Sequence, residues 1–284
     1  MNIIQGGGKM RTSVYTLVGM NDTLKDVIKL SKEIGYDAID IRMCDDGIHI
    51  LPEVKEEDVK NIKKLCEDTE IEISGLTSYY KIGLTDRNER DKTLDKIKKA
   101  MEIVNLLGAK FLRVSASDID FKTGYEKQRE IFREDCLLVS DIARKVKVVV
   151  TIEQHSLSMA ASAGQILDLM RGIDISHIGI VYDPGNTVFE GYERVNVQIE
   201  MLKHLIKNVH LKNCIIKGGT FTEEGWLPSE VTKIDKGVLN WKEIILNLKK
   251  NGYDGFLTLE DFSEANWSLR ERLEYNYRYI KSLI

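Results

Sequence analysis

Eight short runs rich in β-branched residues alternate with longer amphipathic segments along this 284-residue chain. Apolar residues in the longer segments recur at three- and four-residue spacing, which is the pattern of helices that bury one face. Strict alternation of this kind, with no antiparallel hairpin signal, favours an α/β fold built on a parallel sheet. The predicted strands are residues 13–17, 38–42, 72–76, 110–115, 148–153, 179–183, 208–212 and 255–260.

Three of the predicted helices end in the same way. Gly35, Gly108 and Gly252 each follow the last helical turn and precede a strand almost at once. A glycine at this position accepts left-handed backbone and forms the short helix-to-strand loop of a parallel sheet. Eight such units predict a closed (β/α)₈ TIM barrel, a fold that typically has roughly 250 residues. An open, doubly wound sheet is the alternative that alternation alone leaves standing.

No second domain or low-complexity linker interrupts the alternation. We therefore predict a single (β/α)₈ barrel domain over residues 12–284, preceded by an N-terminal arm or leader over residues 1–11. The leader contains three consecutive glycines and lacks the apolar core of a signal peptide. Met10 is an alternative start.

Charge and composition exclude several function classes. Lys and Arg total 41 against 45 Asp and Glu, which gives a formal net charge of −4. A mildly acidic chain lacks the basic surface that tight, sequence-independent binding to nucleic acid requires. No apolar run approaches the roughly 20 residues of a membrane span. The four scattered cysteines form no CxxC pair, so we expect reduced thiols and a cytoplasmic protein.

Four residues with metal-binding side chains stand at or near the C-terminal ends of the last four predicted strands. A barrel would bring them to one rim, where barrel enzymes place their chemistry. A carboxylate at the end of an apolar strand is costly to bury without a cation or a proton. Three carboxylates and one imidazole suit Mn²⁺ or Mg²⁺, with Co²⁺ as an alternative, better than a structural Zn²⁺. The members of this acid–histidine cluster are Glu153, Asp183, His210 and Glu260.

Each member of the cluster also has a structural interpretation. An acid that closes a strand often caps the next helix or forms a salt bridge, and Asp183 begins the turn sequence Asp-Pro-Gly-Asn. A histidine such as His210, taken alone, is more often a hydrogen-bonded core residue than a ligand. The prediction of a metal site therefore depends on all four residues occupying equivalent strand ends.

Four segments carry a resemblance to a known family: residues 152–155 (IEQH), 182–186 (YDPGN), 209–213 (VHLKN) and 259–260 (LE). With them the chain resembles the xylose isomerase-like TIM barrel superfamily, in particular its sugar phosphate isomerase/epimerase branch, which includes ketose 3-epimerases. The resemblance implies that the acid–histidine cluster binds one divalent metal. Mn²⁺ is the first choice for this metal, Mg²⁺ and Co²⁺ are alternatives, and Zn²⁺ stays among the candidates. Relatives of this kind often form homo-oligomers, either dimers or tetramers.

The resemblance also implies that Glu153 and Glu260 act as an acid/base pair. A sugar whose carbonyl and neighbouring hydroxyl chelate the metal has an acidified C–H bond between them. One glutamate removes that proton to give a cis-enediolate. A proton returned on the opposite face inverts the carbon, and a proton returned to the adjacent carbon moves the carbonyl. The prediction is a metal-dependent isomerase or epimerase of a small sugar or sugar phosphate.

Three positions depart from the superfamily pattern and leave the exact reaction open. Asn186 stands where many relatives carry a histidine, and Asn213 stands where relatives often have an acid. Ketose 3-epimerases often use an arginine beyond the strand-seven histidine, and the nearest basic residue in that region here is Lys217.

Further residues are candidates for contacts at the rim. By strand alternation, a residue two positions beyond a ligand faces the same side. The structural alternatives are a plain loop histidine for His155, neutralisation of the acids by Lys212, and an ordinary surface loop over residues 218–236 around Trp226. Arg42 and Arg113 are expected in buried ion pairs. The substrate-binding candidates are His155, Asn186, Lys212 and Trp226.

Three rival functions stay open. A lyase, such as an inosose or dehydroshikimate dehydratase, would share the metal and the first base, and its enediolate would expel a β-hydroxyl as water. An apurinic endonuclease of the same superfamily would bind three zinc ions through extra histidines, which neither Asn186 nor residues 210–217 supply. A non-catalytic sugar-binding barrel would have little use for both glutamates. No GxGxxG segment is present, so no nucleotide cofactor is expected.

Overall fold

The computed structural model describes residues 9–191, 193–223, 227–264 and 266–284. The strands are β1 (Arg11–Tyr15), β2 (Ala38–Arg42), β3 (Glu72–Ile82), β4 (Phe111–Ala116), β5 (Val149–Glu153), β6 (Ile178–Tyr182), β7 (Ile206–Leu211), β8 (Asn213–Ile216), β9 (Ser229–Thr232) and β10 (Phe256–Leu259). The helices are α1 (Leu24–Ile34), α2 (Glu56–Thr69), α3 (Arg87–Leu107), α4 (Tyr125–Val146), α5 (Ala163–Met170), α6 (Pro184–Phe189), α7 (Val195–Leu202), α8 (Trp241–Lys250) and α9 (Leu269–Lys281).

Eight of the strands close into one parallel barrel. Their order around the barrel is β1-β10-β7-β6-β5-β4-β3-β2, and helices separate consecutive barrel strands along the chain. This confirms the predicted (β/α)₈ barrel and excludes the open sheet. Among the described helices, none combines the length and the apolar character that crossing a bilayer would require.

Local sequence signals set the ends of the helices. The Thr23 side chain accepts a hydrogen bond from the Asp26 backbone at the start of α1, and the helix ends at Gly35 with φ of 110°. In α3 the Asp86 side chain caps the first turn, and Gly108 ends the helix at φ of 73°. These left-handed glycines turn the chain from helix to strand, as their positions in the sequence predict.

Gly83 and Gly252 provide a matched test of such loop glycines, because their φ angles are 83° and 80°. A Cβ at Gly83 would lie 2.7 Å from the ring of buried Phe132, whereas one at Gly252 would meet no described atom within 4 Å. We expect Gly252→Ala to lower the free energy of unfolding by about 1–2 kcal/mol through backbone strain alone. Gly83→Ala should lower it by at least about 1 kcal/mol more, because Phe132 must shift. Urea denaturation measures both values, and equal losses would contradict the clash.

The parallel register carries the C-terminal ends of the strands to one rim. Glu153 is the last residue of β5, and His210 of β7 pairs with Thr258 of β10. Asp183 and Glu260 directly follow β6 and β10. All eight strands are parallel, so their C-terminal ends lie at the same end of the barrel. Residues far apart in sequence therefore meet at this rim.

The segment between β7 and α8 differs from the prediction. Strands β8 and β9 form an antiparallel hairpin, whereas we expected no hairpin and an ordinary loop over residues 218–236. Asn213 anchors the base of the hairpin, since its Nδ2 donates to the carbonyl oxygens of Ile234 at 2.7 Å and Leu239 at 2.9 Å. The segments Asn-Cys-Ile-Ile and Ser-Glu-Val-Thr do not alternate strictly between apolar and polar residues, so the sequence carries no strand pattern there.

Two barrel strands differ in their bounds from the prediction. β1 covers Arg11–Tyr15 instead of residues 13–17, and β3 continues to Ile82, which places Tyr79 inside a strand that reaches the rim. The apolar core lies between the barrel wall and the helices, with Trp241 among its largest fully buried side chains. Inside the barrel, polar side chains pair with each other. Thr258, for example, donates to Asn208 Oδ1 at 2.9 Å, which satisfies both of these buried groups.

Candidate metal centre and active site

The acid–histidine cluster comes together at the C-terminal rim of the barrel. One ligand atom from each of its four residues lies within 4.8 Å of the others, and none of the four residues is more than 9% exposed. The strand order β10-β7-β6-β5 places the residues along one arc of the wall. Glu260 and Glu153 stand at the two ends of this arc, with His210 and Asp183 between them.

His210 is the nitrogen donor of the cluster. Its Nδ1 lies 3.2 Å from Glu153 Oε1 and 3.4 Å from Glu260 Oε2. Within the described part of the chain, neither ring nitrogen has a hydrogen bond of good geometry. Tyr15 stacks on the imidazole, with 6.2 Å between ring centroids and 13° between planes.

This donor set fits a divalent cation. A buried imidazole nitrogen without a hydrogen-bond partner is costly unless something else binds its lone pair. The carboxyl groups beside it are buried in a site with little solvent. Oxygen-rich ligation with one imidazole suits Mn²⁺ or Mg²⁺, and Zn²⁺ also accepts histidine and carboxylate ligands.

Lys212 brings a buried positive charge into contact with the cluster. Its Nζ lies 2.7 Å from Asp183 Oδ2 and donates to Glu260 Oε2 at 2.8 Å. Burial opposes the ammonium charge, but the two carboxylates outweigh burial and raise the pKa of Lys212 above its usual range. Burial likewise opposes ionisation of Glu260, but Lys212 and His210 hold its pKa well below the ordinary value. Both partners are therefore ionised.

Two arginines near the rim were predicted in buried ion pairs; the pair of Arg113 is buried, whereas the pair of Arg42 is open to solvent at its acid. Arg113 pairs with Glu153 and donates to the backbone carbonyl of Ser78 at 2.5 Å. Arg42 holds Asp46 through two contacts, at 2.5 Å and 2.6 Å. Both arginines are buried, although Asp46 is partly exposed. Arg113 pairs with Glu153 and Lys212 pairs with Glu260, so each of the two glutamates has its own buried cation.

Asn186 holds Asp183 in place. Its Nδ2 donates to Asp183 Oδ2 and to the backbone carbonyl of Gln154, both at 3.0 Å, and its backbone N–H donates to Asp183 Oδ1 at 3.1 Å. Asn186 is 4% exposed. In this arrangement the amide orients a carboxylate of the cluster.

The other three candidates for substrate binding lie in different surroundings. His155 is exposed at the rim, and its Nδ1 lies 2.9 Å from the backbone carbonyl oxygen of Ser156. Lys212 belongs to the cluster as described above. Trp226 lies outside the described residues.

Two residues that contribute to the site escaped the sequence prediction. Tyr15, which stacks on His210, also shares a 2.6 Å hydrogen bond between its hydroxyl and that of Tyr79. Asp40 is buried inside the barrel, and burial raises its pKa to about 6. A signal was available for Asp40, because a charged residue interrupts the apolar run Ala-Ile-Asp-Ile of β2.

A closed parallel barrel with a buried acid–histidine cluster at its C-terminal rim defines the class of protein: a (β/α)₈ barrel with a candidate divalent-metal centre. The family model described as "Xylose isomerase-like TIM barrel" matches residues 28–283, so this chain belongs to that family. The family resemblance drawn from the four sequence segments is confirmed.

Several curated relatives match at low identity over most of their length. Fructoselysine 3-epimerase of Escherichia coli O157:H7 is 21% identical over 88% of this chain and 90% of its own. L-ribulose-5-phosphate 3-epimerase of Salmonella heidelberg (strain SL476) is 20% identical over 84% and 82%. Inosose dehydratase of Geobacillus thermodenitrificans (strain NG80-2) is 22% identical over 77% and 78%. Both epimerases and a dehydratase are thus similar to this chain.

Solved structures share the fold over nearly the whole chain. The apo form of 3-keto-D-glucoside 4-epimerase from E. coli superposes with a TM-score of 0.74 at 14% identity, covering 96% of this chain and all of the other. A xylose isomerase-like barrel protein from Mycobacterium smegmatis in complex with magnesium gives 0.72 at 15%, covering 96% of each. The IOLI protein with a zinc atom gives 0.73 at 18%, covering 96% and 98%. At these identities the likeness establishes a common fold.

Proposed function

We propose that this chain is a metal-dependent epimerase or isomerase of a small sugar or sugar phosphate. The observation that carries the proposal is the arc of the acid–histidine cluster, in which two glutamates flank an aspartate and a histidine. A binder would need ligands for one cation but not a carboxylate on each side of it. The epimerases among the similar proteins support the same reaction class.

The metal is proposed to be held by Glu153, Asp183, His210 and Glu260. The oxygen-rich set favours Mn²⁺, with Mg²⁺ or Co²⁺ as alternatives and Zn²⁺ retained because a similar structure holds it. When bound, a divalent cation would polarise the substrate carbonyl and acidify the adjacent C–H bond.

The two glutamates are proposed to move the proton. A general base must be ionised before it accepts a proton, and a neighbouring positive charge favours that state. Arg113 supplies it for Glu153, and Lys212, or the metal when bound, would supply it for Glu260. One carboxylate removes the proton to leave a cis-enediolate, and the other returns a proton from its own side. Because the pair stands at opposite ends of the arc, proton return from the second side inverts the carbon.

Substrate contacts are proposed for the side chains around this pair. His155 is exposed at the rim and is available to a hydroxyl group of the substrate. Asn186 acts mainly through Asp183, whose oxygens it contacts. Lys212 is placed beside the reacting centre, and Trp226 stays a candidate from the sequence alone.

A dehydratase is the second candidate, and one observation favours it. His155 supplies an exposed imidazole two residues beyond Glu153, where the protonated ring would hand a proton to a departing hydroxyl and become neutral. The similarity to inosose dehydratase agrees with this reading. Both reactions begin with the same proton abstraction.

Deuterium exchange followed by NMR in D₂O tests the proposal and separates these candidates. The protein is stripped of metal, reloaded with diamagnetic Mg²⁺, and mixed with ketoses, ketose phosphates, inosose and dehydroshikimate. Metal-dependent deuterium uptake beside a carbonyl, with an inverted or moved centre, is the expected result. Loss of water with a new double bond would make the chain a dehydratase. No exchange with metal bound would overturn enolising chemistry and leave a binding protein.

We also propose that the chain works in the cytoplasm as a homo-oligomer, either a dimer or a tetramer. All four cysteines are free, and three of them are buried. Free thiols are typical of a reducing compartment. Sedimentation analysis of the purified protein measures the number of subunits.

A further inference from the structure

Lys212 contacts the same carboxylate oxygens that a metal would need. Its Nζ lies 2.7 Å from Asp183 Oδ2 and 2.8 Å from Glu260 Oε2. The same two oxygens also face His210 Nδ1, at 3.8 Å and 3.4 Å, and Glu153 Oε1 lies beside that nitrogen at 3.2 Å. An ion coordinated by His210 and by these carboxylates would therefore share its ligand atoms with an ammonium group.

A buried hydrogen bond holds the backbone at Lys212, so a metal that competes for these oxygens would displace the side chain rather than the backbone. The Lys212 carbonyl accepts a hydrogen bond from Trp241 Nε1 at 3.0 Å, and Trp241 is fully buried. The lysine stem packs directly on Gly185, where an added Cβ would lie only 2.5 Å from Lys212 Cγ. This close packing guides the ammonium towards Asp183 and Glu260.

The contacts of Lys212 with Asp183 and Glu260 balance the charge of buried carboxylates. Buried carboxylates without a cation are strongly unfavourable. Arg113 compensates Glu153 at one end of the arc, and Lys212 compensates Asp183 and Glu260 along the rest of it. A divalent cation entering the cluster would face the repulsion of the ammonium as well as the loss of its contacts.

We propose that Lys212 is an internal counter-cation that takes the place of the metal in the metal-free chain and withdraws from the carboxylates when the metal binds. Lys212 thereby lowers metal affinity while it stabilises the unloaded barrel. The inference rests on the proposed metal site. A different role, in which Lys212 stays hydrogen-bonded and orients the ligands, predicts the opposite change in affinity when the lysine is lost.

Calorimetric titration of chelator-treated protein with Mn²⁺ distinguishes the two roles by the sign of the change. Lys212→Met should bind Mn²⁺ at least about tenfold more tightly than the wild type, because a nearby positive charge is removed. Lys212→Gln should change affinity in the same direction. Thermal unfolding of metal-free samples should show a lower Tm for both variants and a larger rise on adding Mn²⁺.

Lys64→Met is the matched control, because it removes the same charge from an exposed pair with Asp68 in α2. Its Mn²⁺ affinity should equal that of the wild type. Unchanged or weaker Mn²⁺ binding in both Lys212 variants would overturn the proposal that Lys212 is a counter-cation. If Lys212→Met folds only with metal, Mn²⁺ affinity is measured instead by competition of the metal-loaded proteins against a chelator. The Lys212 variants should then lose Mn²⁺ at higher chelator concentrations than the wild type. No binding of Mn²⁺, Mg²⁺, Co²⁺ or Zn²⁺ by the wild type would instead overturn the metal site itself.

Discussion

Glu153→Gln is expected to abolish net conversion of the sugar substrate while leaving at least part of the metal binding intact. Glutamine keeps the size of the side chain and one carbonyl oxygen for the metal, but it cannot accept a proton as a base. Loss of a positioned general base typically lowers a rate by about 10²- to 10⁴-fold. The measurement is kcat by NMR together with the metal content of the same sample.

Glu72→Gln is the control for this variant. Glu72 is also the site of two ion pairs, with Arg11 and Lys110, but it lies at the N-terminal start of β3, at the other end of the barrel. Removing its charge should leave kcat and metal content unchanged. Wild-type turnover in metal-loaded Glu153→Gln would defeat the assignment of Glu153 as a base.

The two-glutamate arrangement makes a finer prediction for an epimerase. Each single variant, Glu153→Gln or Glu260→Gln, should still exchange deuterium into one of the two epimers without inverting it. The remaining carboxylate can remove and return a proton on its own side only. The two variants should therefore label opposite epimers, and labelling of the same epimer by both would contradict a base on each side.

The barrel and the acid–histidine cluster were accessible from the sequence because each depends on a short, local pattern. Alternating segments reveal the strands, and an acid at the end of an apolar run is conspicuous at Glu153 and Asp183. The parallel register then fixes which ends meet, without knowledge of any side-chain position.

The sequence predicted a buried ion pair for Arg113 and offered Lys212 as a neutralising charge, but it did not identify the acid that each cation contacts. Arg113 and Glu153 meet across neighbouring strands, and Lys212 reaches over Gly185 to its carboxylates. Which cation meets which acid depends on side-chain direction and on close packing, neither of which leaves a periodic trace. The hairpin of β8 and β9 was missed for a related reason, since the side chain of Asn213 anchors it through contacts distant in sequence.

The departure at Asn186 acquires a physical explanation from the structure. The sequence alone presents it as the loss of a histidine found in many relatives. In the folded chain its amide donates to Asp183 Oδ2 and its backbone N–H to Oδ1. An amide can orient the carboxylate in this way without adding a further charge to the site, which already holds Lys212.

Asp183→Ala should remove metal binding. Alanine deletes a ligand placed between His210 and Glu153 along the arc, and it also leaves Lys212 with one carboxylate instead of two. Loss of groups that merely orient metal ligands often costs 10- to 100-fold in affinity, so loss of the ligand should cost more than about 100-fold. Metal content after dialysis, measured by mass spectrometry, and calorimetric titration with Mn²⁺ both report the loss.

A general loss of stability must be separated from loss of the ligand. Asp135→Ala provides the comparison, because Asp135 is equally buried, pairs with Arg90 at 2.7 Å and accepts a hydrogen bond from the Gly83 backbone at 2.8 Å. Its removal should lower the Tm but leave metal content unchanged, since it is no member of the cluster. If Asp183→Ala kept the metal content of the wild type, Asp183 would be excluded as a ligand, and its contacts with Asn186 would be those of a helix cap alone.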